Sequence, residues 1–162
     1  MDDLIYMDVG NATESYGRVV IKLRPDLAPN HVARFKELSR EKFYDNVVFH
    51  RVIPGFMAQT GDPTGTGSGG SSKPDLKSEF TPTPHKRGVV STARTANPHS
   101  ANSQFFIMLA DSRHLDGQYT VWGEVIEGMD AIDRIKKGEE RQNGSVRDPD
   151  RIRSMRVADE SA

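Results

Sequence analysis

The chain of 162 residues has no cysteine, which excludes disulfides, thiolate metal sites and thiol nucleophiles together. It has no apolar run approaching the roughly 18 residues of a membrane span. The opening MDDLIYM is acidic and too briefly apolar for a signal peptide. The expectation is a soluble cytoplasmic protein with no membrane partner. Neither charge is in surplus: Lys plus Arg is 22, Asp plus Glu is 23, and the net charge is −1. Without a basic stripe, nucleic acid is not an expected partner. The longest charged stretch, 130–156, mixes both signs and reads as solvated surface. The apolar fraction of 35% is low beside 28% charged residues, so much of the chain is loop and wet surface. The length suits one domain, 1–162, able to hide roughly 70% of the unfolded chain's surface in one core.

Motifs for familiar chemistries are also missing. The five histidines, His31, His50, His85, His99 and His114, form no H-E-x-x-H or other compact ligand set, so no metal and no cofactor are expected. No serine lies in G-x-S-x-G, and the carboxylates are scattered among loops. GTGSGG at 65–70 matches G-x-G-x-x-G literally. SSKP follows it where a dinucleotide site requires a helix start. The Walker pattern fails because Ser71, not a lysine, follows Gly70. The segment 63–84, rich in Gly, Ser, Thr and Pro, reads as one long flexible surface loop.

What remains is a pattern of short strands. Segments 4–9 and 17–23 form a hairpin signal, with Val19, Ile21 and Leu23 alternating against Arg18, Val20 and Lys22. Further strands are predicted over 47–53, 56–61, 88–93, 104–109, 119–125 and 152–157. A helix fits 29–40, with Pro29 in its first turn and Val32, Phe35 and Leu38 as its apolar stripe. A second fits 129–137, striped by Met129, Ile132 and Ile135. Strands do not alternate with helices. The predicted class is therefore mainly antiparallel β: an eight-stranded closed barrel capped by two α-helices.

One stretch resists a purely structural account. Residues 49–59 read FHRVIPGFMAQ, with Arg51 set in an apolar run, and burying a charge is costly unless it is hydrogen-bonded. Strand parity puts Phe49, Arg51 and Ile53 on one face. His50 turns the other way beside Val48 and Val52, as a hydrogen-bonded core histidine. Met57 and Gln59 share a face, as do Gln104, Phe106 and Met108. If these faces converge they form an apolar pocket rimmed by fixed donors, the usual build of a small-ligand or peptide site. Equally, Phe106 and Met57 could be core while Arg51 snorkels to water. The pattern alone does not choose.

YDNVVFHRVIPGFMAQTGD at 44–62 and SANSQFFIMLADSRHLDGQYTVWGEVIEGMDAIDRI at 100–135 resemble the cyclophilins, the cyclophilin-type peptidyl-prolyl cis–trans isomerases. The likeness runs nearly end to end. It implies acceleration of rotation about X–Pro bonds in protein substrates, assisting folding. A non-catalytic proline-peptide-binding or chaperone module is the alternative. The resemblance makes Arg51, with Gln59 and Phe106, the catalytic set. It implies substrate contacts at Phe56, Met57, Gly67, Ala93, Arg94, Thr95, Gln104, His114, Leu115 and Tyr119. The implied partners are proline-containing polypeptides, met by a monomer. Three positions depart from the best-known eukaryotic members: His114 stands for tryptophan, Tyr119 for histidine and Arg94 for asparagine. The tryptophan contacts cyclosporin in that family, so weakened affinity for cyclosporin-like inhibitors is implied. These substitutions, with the loop at 92–103, look more bacterial than animal.

Overall fold

A computed structural model describes residues 3–158. The chain opens with β1 (Leu4–Gly10) and β2 (Ser15–Leu23), paired antiparallel with Ile5 opposite Ile21 and Met7 opposite Val19. Their turn is set by Asn11, whose Oδ1 accepts from the amides of Thr13 and Glu14 at 2.9 and 2.8 Å. Helix α1 (Pro29–Arg40) follows and buries Val32, Phe35 and Leu38. No side chain of its own caps it. Instead Glu79, from the distant loop, accepts from the amides of Asn30 and His31 at 3.2 and 2.9 Å, placing an anion at the positive end of the helix.

Then come β3 (Arg51–Ile53), β4 (Met57–Thr60), β5 (Val89–Thr92), β6 (Phe105–Met108), β7 (Val121–Glu127) and β8 (Arg151–Val157). The sheet runs β3-β4-β6-β5-β7-β2-β1-β8, every ladder antiparallel. The predicted closed barrel needs one correction. No regular ladder joins the edge strands β3 and β8. Irregular chain bridges them: Asn46 N donates to Ile152 O, Phe49 N to Asp150 O and Ile152 N to Val47 O, each at 2.8 Å. The strand predicted from residue 47 therefore starts only at Arg51.

Helix α2 (Met129–Asp133) is shorter than the predicted 129–137. The amides of Arg134 and Ile135 still bond back to the helix, but the next are drawn away: Lys136 N donates to Asp150 Oδ2 at 2.8 Å and Gly138 N to Val52 O at 2.8 Å. Ile132 and Ile135 are nonetheless buried, as the stripe required.

The main core packs against one face of the sheet. Trp122, the only tryptophan, is fully buried there and stacks on Phe35 with centroids 4.0 Å apart, while Phe105 meets it edge-on at 5.5 Å. A second cluster lies on the opposite face and includes Met57, Phe106, Met108 and Leu115. Alternation divides the strands between the two cores: Phe105 and Ile107 point into the first, Phe106 and Met108 into the second.

Candidate functional site

Register builds the site. Arg51 on β3 lies opposite Gln59 on β4, which lies opposite Phe106 on β6, which lies opposite Ser91 on β5. Residues paired across adjacent strands share a face, so a guanidinium, an amide and a ring stand in a row. Arg51 Nη1 donates to Gln59 Oε1 at 3.0 Å, and Gln59 Nε2 to Gln104 Oε1 at 2.9 Å. Gln104 Nε2 in turn donates to the carbonyls of Gly67 and Gly69, at 3.0 and 2.9 Å.

Asn143 is a partner that sequence reasoning missed. Arg51 Nε donates to its backbone oxygen at 3.0 Å and Nη2 to its Oδ1 at 2.9 Å. Asn143 takes a left-handed backbone, φ 58°, a conformation that asparagine tolerates better than most residues. The turn carrying it is pinned to β3, with Val52 N donating to Gly144 O at 2.8 Å. Of the five guanidinium N–H groups, three are thus engaged and two remain. Arg51 has no carboxylate partner among the described residues. Burial draws its pKa down from the ordinary value, with Tyr119 opposing.

A cavity of about 290 Å³ opens beside it. Its floor and walls are Phe56, Met57, Phe106 and Leu115, with Ala93, Arg94, His114 and Tyr119 around the rim. Met57, Phe106 and Leu115 are almost wholly buried. Tyr119 meets Phe106 edge-on at 5.4 Å, and His114 faces Phe56 at 5.8 Å. His114 and Leu115 arrive on a 3-10 turn, Arg113–Leu115, invisible to strand periodicity. Gly67, Thr95 and Gln104 do not line this cavity. They line an adjoining one of about 510 Å³, which shares Gln59, Ala93 and Arg94 with it. The sequence-predicted residues therefore form one groove with two chambers.

The long loop is not loose. Asp62 Oδ2 accepts from the amides of Thr66, Gly67 and Gly69 at 3.1, 2.6 and 3.0 Å, while Oδ1 takes the Thr64 amide and hydroxyl at 2.8 and 2.7 Å. Burial alone would raise its pKa. The bonds from Thr64, Gly69 and Gly67 together outweigh burial and hold it well below the usual carboxylate range. The glycine-rich stretch does cradle an anion, and that anion is its own aspartate.

His50 corrects another expectation. It is half-buried and neither ring nitrogen has a hydrogen-bond partner. The ring lies against Gly67, where an added Cβ would come within 3.5 Å. Burial lowers its pKa, Asp62 opposing and Arg51 assisting. Behind Phe106, His85 Nδ1 faces Asp116 Oδ1 at 3.2 Å and its Nε2 faces Ser91 Oγ at 2.7 Å. The order matches a hydrolase triad, but Ser91 is 0% exposed and no scissile carbonyl could reach it. These groups buttress the wall. Among the described residues no cluster of three or more acidic or histidine side chains suits a metal ion.

The sequence and the fold also match those of known proteins. The family model described as cyclophilin type peptidyl-prolyl cis-trans isomerase/CLD matches residues 6–157. A Brucella suis protein named "Probable peptidyl-prolyl cis-trans isomerase" is 56% identical over 147 residues, 84% of this chain and 75% of the relative. The peptidyl-prolyl cis-trans isomerase-like 1 of Aspergillus oryzae is 38% identical, covering 88% of this chain and 89% of its own length. Among solved structures, the Hirschia baltica cyclophilin AquaCyp293 superposes with a TM-score of 0.84 at 29% identity, over 98% of this chain and 75% of that one. A Cryptosporidium parvum cyclophilin-type isomerase, solved in the presence of the dipeptide Ala-Pro, also has a TM-score of 0.84, at 27% identity over 95% and 98% of the two chains.

Proposed function

We propose, for a chain that belongs to the cyclophilin-type peptidyl-prolyl cis–trans isomerases and accelerates rotation about X–Pro bonds, that Arg51 is the donor that stabilises the twisted amide. The bond rotates over a barrier of about 18–20 kcal/mol, with uncatalysed times of tens to hundreds of seconds. Conjugation of the nitrogen lone pair with the carbonyl sets that barrier. In the twisted transition state the nitrogen becomes pyramidal and its lone pair accepts a hydrogen bond. A donor aimed there acts on the transition state and hardly on the planar ground state, which is the condition for catalysis.

The observation that carries this reading is the state of the guanidinium. Three of its N–H groups are tied to Gln59 and Asn143, so its orientation is fixed before substrate arrives and two donors are left for the groove. Phe106, Met57, Leu115 and Phe56 then hold the proline ring. Gln59, Gln104 and the 93–95 backbone steady the flanking chain, with Gly67 behind them. A charge-assisted hydrogen bond contributes about 1.5–3 kcal/mol, roughly ten- to hundredfold in rate. Acceleration by about 10⁵ requires roughly 7 kcal/mol. The rest must come from fixing the proline while the preceding carbonyl swings, and from a groove drier than water. No covalent step or cofactor enters.

The same proposal takes proline-containing polypeptides as substrates and places the work in protein folding, by a cytoplasmic monomer. Among the described residues no helix is long and apolar enough to cross a membrane. With His114 rather than an indole against Phe56, cyclosporin-like inhibitors should bind weakly. A protease-coupled assay on a short Pro-containing peptide, with and without cyclosporin, tests both points. Acceleration that survives the inhibitor is expected. Binding without acceleration would leave only a proline-docking module.

A further inference from the structure

Arg94 stands where the two chambers meet and lines both. Its guanidinium lies over the ring of Tyr119 at 4.8 Å and that of Phe80 at 5.6 Å. Nε and Nη2 donate to Gln118 O at 3.0 and 2.8 Å, and Nη1 donates to Thr95 O at 2.9 Å. These partners are carbonyls and rings, all neutral. Among the described residues no carboxylate forms an ion pair with Arg94, nor with Arg51. No acidic residue lines the smaller chamber. The larger has one, Asp75, whose Oδ1 accepts from Asn102 Nδ2 at 3.0 Å. The groove thus holds two guanidinium charges with no carboxylate against either.

Resting on the isomerase reading above, we propose that Arg94 determines specificity: it favours X–Pro segments with an acidic side chain within two residues of the proline, on the side that runs into the larger chamber. A proline seated on Phe106 leaves its chain to pass Arg94 on the way to that chamber. Two extended residues cover about 7 Å, so only side chains close to the proline come within reach of a single guanidinium. Arg94 keeps two N–H groups free of the five it has, one on each Nη, which suits a carboxylate fork. A lysine there meets two like charges instead. Further along, Asp75 reverses the sign, so the advantage of an acid must be confined to the residues next to proline.

The test uses otherwise identical peptides with Glu, Gln or Lys placed at each of four positions on either side of proline. For the protein and for Arg94→Gln and Arg94→Lys, the ratio of kcat/KM between Glu and Lys peptides is read at low salt and at about 1 M salt. At one adjacent position the protein should favour Glu by about fivefold at low salt, and the preference should vanish at high salt. Arg94→Gln should abolish it, while Arg94→Lys should keep part of it. Equal rates in the unaltered protein, or a preference that persists in Arg94→Gln, would overturn the assignment. If the Gln peptides were not turned over at all, the isomerase reading would fall and this one with it; turnover without discrimination overturns this one alone.

Discussion

Arg51→Ala should retain its melting temperature and lose about two orders of magnitude in kcat/KM on a Pro-containing peptide. Full activity in that variant would remove the donor from the mechanism. Arg51→Lys should be impaired as well, because a flexible point charge cannot make the three bonds that fix the fork. Asn143 offers a finer probe. Asn143→Gly keeps the left-handed backbone and the carbonyl acceptor and deletes only Oδ1. It should lower kcat by about tenfold, the effect of about 1.4 kcal/mol, and leave KM and stability nearly unchanged. An unaltered kcat would make Asn143 a bystander. Parity gave Arg51 and Gln59 each a face on its own strand, and the resemblance named both; only the register shows that they stand opposite one another. Asn143 was not legible in the sequence. It reaches Arg51 from 92 positions away, on a turn with no periodicity. His50 misled for a related reason: parity tells which way a ring points and is silent on whether a partner awaits it.

The loop after β4 acts as an element although it has no regular structure. Asp62 gathers the amides of Gly67 and Gly69. Their carbonyls take Gln104, which orients Gln59 and so Arg51. Asp62→Asn replaces an acceptor carboxylate by an amide facing N–H donors. It should cost about 3 kcal/mol, measurable by denaturant unfolding, and should also lower kcat/KM although Asp62 lines neither chamber. A variant destabilised but fully active at a temperature where it is folded would break this link between loop and guanidinium. Composition predicted a loop over 63–84 correctly, and its glycines were read as flexibility. What orders them is a single carboxylate just upstream, which composition does not register. Similarly, the stripe of α2 was legible but its length was not. Asp150 and Val52 take the amides of Lys136 and Gly138, and both are remote in sequence.

At the scale of the whole molecule, stability should depend on pH through buried groups. Burial lowers the pKa of His31, His50 and His85, with Glu79, Asp62 and Asp116 respectively opposing. In the unfolded chain an imidazole titrates near 6.5, so on acidification the unfolded state takes up protons first. The stabilising contribution is complete above about pH 6.5 and shrinks below it. Asp62 adds a loss of the same sign from about pH 4 downward, where its unfolded counterpart begins to protonate. Melting temperature should be flat between pH 8 and 7 and fall between 6.5 and 5; a flat profile through that range would contradict the lowering of these pKa values by burial. The strand order could not be read from periodicity, which assigns faces but not neighbours. Trp122 has one last bearing on these measurements. The chain's single indole is packed between Phe35 and Phe105 and lines neither chamber. Its fluorescence will therefore follow the melting of the interior and stay dark to peptide arriving at the groove, so affinities must be taken from heat or from labelled ligand.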